Sequence, residues 1–179
     1  MYDFNLIISY PWPFVGRARN EIVHFLRILG DEDPIVERTL ARGIIGVKTN
    51  LDPRNVARQL GTLFNEDTSR FQYTLKWVPV DMWTNSDIES MKKAVESVKD
   101  KIRPGERWRL TVEKRRYTMH HTTDIIRTLA ELIDEKVDLK NPDKILRVDI
   151  IGKYAGVSVL SPSEIFSTTR LPLKMNKDA

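Results

Sequence analysis

The sequence predicts a mixed α/β (α+β) chain of two small units in tandem, and three observations carry that prediction. Its 179 residues are enough for two units of roughly 80 to 90 residues each. Apolar spacing switches repeatedly between a period of two and the helical period. Turn and cap signals at Pro11-Trp12-Pro13, Asp52-Pro53 and Pro104-Gly105 punctuate the segments.

Asn5 to Tyr10 reads as a strand, ended by Pro11 and Pro13 because proline has no ladder donor. Arg17 to Leu29 carries Ala18, Ile22, Phe25 or Leu26, and Leu29 at helical spacing, with Gly30 placed as the C-cap. Ile35 to Leu40 and Gly43 to Thr49 read as two short strands around a turn at Ala41-Arg42. Asp52-Pro53 starts a helix, since Asp accepts from orphan N–H groups and Pro is preset for the first turn. Val56, Leu60 and Leu63 supply its apolar face, and Tyr73 to Val80 closes the unit as a strand. The resulting order, β-α-β-β-α-β, is the split βαβ or ferredoxin-like arrangement.

A second unit starts near Asn85-Ser86, where Ser86 or Asp87 caps a helix carrying Ile88, Met91, Val95 and Val98. Trp108, Leu110 and Val112 alternate with Arg107, Arg109, Thr111 and Glu113, the signature of a strand with one buried face. Ile125, Ile126, Leu129, Ile133 and Val137 form the next helical face. Ile145 to Ile151 and Ala155 to Leu160 follow as strands around Gly152-Lys153-Tyr154, giving the order α-β-α-β-β. After Ser161 the pattern fades, and Asn176 to Ala179 reads as a loose tail.

Composition narrows the function. The chain has no cysteine, which removes disulfides, thiolate zinc sites and cysteine nucleophiles together. No apolar run reaches the roughly 18 to 20 residues of a membrane-spanning helix, and no secretory leader is visible. A cytoplasmic location away from membranes is the expectation. Net charge is only +4, but residues 101 to 127 hold eight basic and three acidic side chains, leaving the remainder at −1. A local positive field of this kind is the footprint of a polyanion-binding surface.

Arg107 to Arg116, Arg-Trp-Arg-Leu-Thr-Val-Glu-Lys-Arg-Arg, is the most informative stretch. With Trp108, Leu110 and Val112 inward, Arg107 and Arg109 emerge together on the other face, and Lys114, Arg115 and Arg116 leave the strand end as a cluster. Such a group can hold phosphates, with arginine adding bidentate hydrogen bonds; it also fits a solvated sheet edge protected by charge. Trp12, Trp83 and Tyr117 sit near element ends, where they can stack on unpaired bases or simply pack. His120 and His121 lack the i, i+4 spacing of a helical metal pair, so no metal is expected. Glycine-rich phosphate loops and a nucleophile-elbow serine are missing. Neither a cofactor nor catalysis by this chain is expected.

Three segments of the second unit resemble the THUMP domain of RNA-modifying proteins. They are Arg107–Arg116 with Tyr117-Thr118-Met119-His120-His121, the helix before Val137-Asp138-Leu139-Lys140-Asn141-Pro142, and Leu146–Ile151 followed by Ala155-Gly156-Val157-Ser158-Val159-Leu160. The Val-Asp-Leu-x-Asn-Pro turn and the ending Ser-Val-Leu-Ser-Pro-x-Glu-Ile-Phe are similar to one branch. Its members are stand-alone THUMP proteins serving as adaptors for the acetyltransferase that makes N4-acetylcytidine in tRNA. The resemblance implies a ferredoxin-like domain over 1–83, a THUMP domain over 84–167 and a tail over 168–179. It further implies binding near the tRNA acceptor stem and 3′ end, with the RNA acetyltransferase as partner. Charge and predicted position single out Arg107, Arg109, Lys114, Arg115, Arg116, Tyr117, Arg127 and Lys153 as the RNA-binding set. Two other readings stay open: a module whose basic face binds an acidic protein, and an RNA-modifying enzyme whose site lacks a recognisable motif.

Overall fold

The computed structural model describes residues 1–169, so the tail expected at Asn176 to Ala179 lies outside the described residues. The elements in chain order are β1 (Leu6–Ser9), α1 (Val15–Leu29), β2 (Ile35–Arg38), β3 (Ile44–Lys48), α2 (Pro53–Glu66) and β4 (Lys76–Pro79). They continue with β5 (Met82–Asn85), α3 (Ile88–Val98), β6 (Trp108–Arg115), α4 (Thr122–Ala130), β7 (Lys144–Ile151), β8 (Tyr154–Leu160) and β9 (Phe166–Ser167). Two compact units interleave along the chain. One comprises Leu6–Arg38, Arg42–Pro79 and the described residues from Ser163 onward; the other comprises Met1–Asn5, Thr39–Ala41 and Val80–Pro162.

The first unit has the antiparallel strand order β2-β3-β1-β4-β9, which is the ferredoxin-like sheet with β9 added at its edge. Register places Leu6 opposite Val47 and Ile8 opposite both Ile45 and Trp77. These side chains share one face, and they pack with Ile22, Phe25 and Leu26 of α1 and Val56 and Leu60 of α2 in one core. Each such side chain taken fully out of water contributes about 1.5–3 kcal/mol. Gly30 ends α1 at φ 114°, a left-handed conformation that a side chain would strain. Asp52 caps α2 by accepting from the Arg54 amide at 2.9 Å. Phe71 stacks on Phe25 with ring centroids 4.3 Å apart and also meets Phe166 of β9 at 4.9 Å.

The strand expected over Tyr73 to Val80 begins only at Lys76, and Glu21 of α1 accounts for the difference. Its carboxylate accepts from the Gln72 amide at 2.7 Å and the Thr74 amide at 2.6 Å, with the Tyr73 amide at 3.2 Å. Backbone donors claimed by a side chain are not available to a ladder.

The second unit is a four-stranded sheet in the order β5-β8-β7-β6. β6 and β7 run parallel through the α4 crossover, while the other pairs are antiparallel. Trp108 and Leu110 of β6, Leu146, Val148 and Ile150 of β7, Met91 and Val95 of α3, and Ile125 and Leu129 of α4 form its core. Asp87 caps α3 through the Ser90 amide at 2.8 Å, and the Ser90 hydrogen bonds hold its carboxyl below the usual carboxylate range. α4 stops at Ala130, earlier than the apolar periodicity predicts; Leu132 and Ile133 still pack on the core from the following turns. Val137 is instead a single parallel bridge partner of Trp108 and is 49% exposed. β5 was not expected from the sequence; Met82-Trp83-Thr84-Asn85 lacks clean alternation, and its strand state comes from pairing with β8.

Replacing Glu21 with Ala leaves three amides without their acceptor. The expected outcome is a loss of about 2–3 kcal/mol in unfolding free energy, read from urea denaturation with an unchanged m-value.

Candidate nucleic-acid interface

β6 and β7 run parallel in register from Trp108 opposite Lys144 to Arg115 opposite Ile151, so both strands end at the same edge of the sheet. There the β6 end, the β7–β8 turn and the start of α3 meet at one buried residue, Ser86. Its amide donates to the Lys153 carbonyl at 2.9 Å, its hydroxyl donates to the Gly152 carbonyl at 2.9 Å, and its carbonyl accepts from the Tyr117 hydroxyl at 3.1 Å. The Gly152 amide in turn donates to the Arg115 carbonyl at 2.9 Å. Gly152 has φ 58°, a left-handed conformation that a side chain would strain; a Cβ there would also come within 2.7 Å of Leu40 Cδ2, the end of an exposed side chain that can move aside.

These segments surround a concavity of about 770 Å³, lined by Tyr2, Leu40, Arg116, Met119, Lys153 and Tyr154 among others. Every lining residue belongs to the second unit. Leu40 and Met119 are 56% and 66% exposed, giving the mouth an apolar rim. Arg116 is exposed and has φ 59°, a left-handed conformation uncommon for a side-chain-bearing residue and costing about 1 kcal/mol. Arg116 and Lys153 are the two cations in the lining.

The structure sorts the eight residues chosen from sequence into three groups. Arg116 and Lys153 are brought together at the concavity, and Arg127 is exposed on α4; none of these three side chains has a hydrogen bond or ion pair among the described residues. Arg107 and Arg109 lie at the opposite end of β6, nine and seven residues from Arg116, so about 20–30 Å away along the strand. There they brace the turn after α4: Arg107 Nη1 meets Asp138 Oδ2 at 3.1 Å and Arg109 Nη1 donates to the Leu139 carbonyl at 2.9 Å.

Lys114 and Arg115 do not leave the strand as a cluster with Arg116, because both are within β6 and alternate between its faces. Lys114 Nζ donates to the His120 carbonyl at 2.8 Å. Arg115 meets Asp149 at 3.3 Å, and the buried Arg147 holds the same carboxylate through Nε at 2.9 Å and Nη2 at 3.1 Å. Tyr117 offers no open face for stacking. It is 9% exposed within the core, its hydroxyl is bonded to Ser86, and burial pushes its phenol pKa up, with the Asp87 charge adding to the effect. Trp83 is half-buried, with Nε1 donating to the Phe4 carbonyl at 2.8 Å. Among the described residues no group of three or more His, Asp or Glu side chains is placed to hold a metal.

Ser86, Arg147 and Asp149 organise this edge and were missed as site residues. Ser86 carried a signal as a helix-cap candidate, but its partners lie 31 and 66 residues away. Arg147 and Asp149 sit in a strand that reads as apolar.

The THUMP domain model matches residues 85–160, and this stretch is a THUMP domain. Among solved structures, PH1313 from Pyrococcus horikoshii Ot3 is similar with a TM-score of 0.62 at 17% identity, over 87% of this chain and 54% of its own. TrmN from Thermus thermophilus follows at 0.57 and 15% identity, over 86% of this chain and 44% of its own. A 4-thiouridine synthetase, solved in a complex with RNA and bound ATP, gives 0.52 at 17% identity over 92% of this chain and 42% of its own. At these identities the likeness is one of fold, and the chain spans about half or less of each structure's length. None of the curated proteins matches the chain.

Ser86→Ala removes the hydroxyl that satisfies the Gly152 carbonyl, and about 1–2 kcal/mol of stability is expected to go with it. Tyr117→Phe is expected to cost about 1 kcal/mol by removing the other hydroxyl; thermal or urea unfolding of the two variants checks both. Asp138 is held below the usual carboxylate range by amide hydrogen bonds from Asn141, the Arg107 guanidinium and the Lys140 amide. A depressed folded pKa means its contribution is present above the unfolded value of about 4 and is lost as pH falls through the folded value. Amide shifts of Lys140 and Asn141 are expected to stay constant from pH 7 to 5 and to move together only below pH 4, as an NMR titration would show.

Proposed function

We propose that this chain is a non-catalytic tRNA-binding adaptor. In this reading the THUMP unit engages the acceptor region and 3′ end, and the tRNA is handed to a separate modifying enzyme, the cytidine N4-acetyltransferase. The observation that carries the RNA-binding half is the pairing of Arg116 and Lys153, exposed and without internal partners, beside an apolar-rimmed concavity. The cations suit backbone phosphates, whose neutralisation releases condensed counterions. The concavity suits an unstacked nucleotide, because RNA readers gain specificity from single-stranded ends whose bases can be splayed into protein. The THUMP match and the fold shared with a 4-thiouridine synthetase solved with RNA support RNA binding in tRNA modification.

The adaptor half draws on different residues. The Val137-to-Pro142 turn, which Asp138, Arg107 and Arg109 hold in shape, and the Ser158-to-Phe166 ending carry the resemblance to the stand-alone branch. In reconstitution, tRNA, acetyl-CoA and the acetyltransferase are expected to yield N4-acetylcytidine only when this chain is added. Acetylation by the enzyme alone, or by this chain alone, would end the adaptor reading.

Fluorescence anisotropy with labelled tRNA at roughly 0.15 M salt tests the binding half. A 3′-trimmed tRNA is expected to bind more weakly than the intact one. Arg116→Ala with Lys153→Ala is expected to weaken binding about tenfold or more and to reduce the slope of log K against log salt by one to two. The pair Arg107→Ala and Arg109→Ala serves as a contrast, since those guanidinium groups are occupied by Asp138 and Leu139. Equal affinity of the Arg116/Lys153 variant and the parent would remove the assignment of this edge.

A further inference from the structure

The ferredoxin-like unit carries an exposed aromatic and arginine patch. The Phe14 amide donates to the Pro11 carbonyl at 3.0 Å, closing a tight turn between β1 and α1 that presents Trp12 and Phe14, 57% and 45% exposed. The Tyr10 amide donates to the Gly43 carbonyl at 3.0 Å and draws Arg42 alongside. The Arg42 guanidinium lies 4.9 Å from the centre of the Trp12 ring. Phe14 meets Tyr73 at 5.8 Å, and Arg17 donates to the Tyr73 hydroxyl at 2.7 Å while sitting 5.6 Å from that ring's centre. Leaving so much aromatic surface in water is unfavourable, and packing gives no reason for it.

We propose that this patch is a stacking site for unpaired nucleobases of RNA, with Trp12 and Phe14 as platforms. The occupant follows from charge and shape together. Arg17, Arg19 and Arg42 are all exposed, and the carboxylate in this part of α1, Glu21, is engaged by the Gln72, Tyr73 and Thr74 amides. The local field therefore favours a polyanion over an acidic-poor protein surface. Flat rings bordered by guanidinium groups are the equipment of single-strand binders, because every base has a stackable face. An aliphatic helix would ask for a groove of branched side chains instead. This site rests on the tRNA-binding reading and extends it from the phosphate-holding edge of the THUMP unit to a base-holding surface of the other unit.

The test uses the full chain, intact labelled tRNA and the double variant Trp12→Ala with Phe14→Ala. Trp12 is largely solvent-exposed and Phe14 about half so, and circular dichroism checks the fold. Affinity is expected to fall about tenfold or more, with the salt slope unchanged because no phosphate contact is lost. Trp12→Phe with Phe14→Tyr keeps the rings and is expected to restore most of the binding. Tryptophan emission of the parent is expected to be quenched by tRNA, and most of the quenching to be lost in Trp12→Phe, since Trp77 and Trp108 are buried and Trp83 is half-buried. Unchanged affinity in the alanine variant, with Arg116→Ala/Lys153→Ala still impaired, would overturn the stacking site and leave the tRNA reading intact. Failure of the parent to bind tRNA would overturn both. Unchanged tRNA affinity together with loss of acetyltransferase capture would reassign the patch to protein contact.

Discussion

The candidate interface depends on one small buried side chain. Ser86 donates twice and accepts once, and its partners belong to the β7–β8 turn and to the segment leaving β6. A residue of that size contributes little apolar surface, so its role lies in satisfying backbone carbonyls that would otherwise be buried without a donor. Through it the start of α3 fixes where Gly152 and Lys153 turn. Through Tyr117 it also fixes where the chain turns out of the sheet after Arg116. The concavity lies against those two turns, with Tyr2 and Leu40 completing its lining.

Topology divides the basic residues along β6 by whether they meet an internal acceptor. The stretch holds five cations between Arg107 and Arg116, yet four of them have internal acceptors. Asp138 and the Leu139 carbonyl occupy the arginines at one end, Asp149 holds Arg115, and the His120 carbonyl holds Lys114. Asp149 is itself buried between two guanidinium groups, an arrangement in which the acceptor offsets what desolvating the cations costs. Arg116 is the one of the five without an internal acceptor among the described residues, and Lys153, on a strand turn 37 residues later in the chain, also lacks one. The count of basic residues thus overstates the number of cations along β6 that lack an internal partner.

The sequence made much of the fold legible because local physics carried it. The ferredoxin-like order follows from the Asp52-Pro53 start, the Gly30 stop and the apolar periods between them, and β6 follows from strict alternation around Trp108 and Leu110. Elements set by distant partners were not legible. β5 exists because β8 supplies its ladder, and β9 is two residues long and meets β4 some 90 positions earlier in the chain. Tyr73 has the composition of a strand residue, but Glu21, 52 positions before it, takes its amide. The candidate interface divides in the same way: Arg116 and Lys153 were visible as charges, while Ser86 was visible only as a helix cap. Trp12 was visible as an aromatic at an element end, but nothing local told its exposure apart from the burial of Trp77 or Trp108.

Arg116 shows how geometry adds to what composition suggests. A left-handed residue at a strand end is normally glycine or asparagine, and either would make this turn with less strain. Arg116 nonetheless holds that conformation, and its side chain has no hydrogen bond or ion pair among the described residues. The neighbouring hydrogen bond from the Gly152 amide to the Arg115 carbonyl ties this turn to the one between β7 and β8. The proposed RNA contact rests on this guanidinium, which is exposed, has no internal partner among the described residues and lines the concavity.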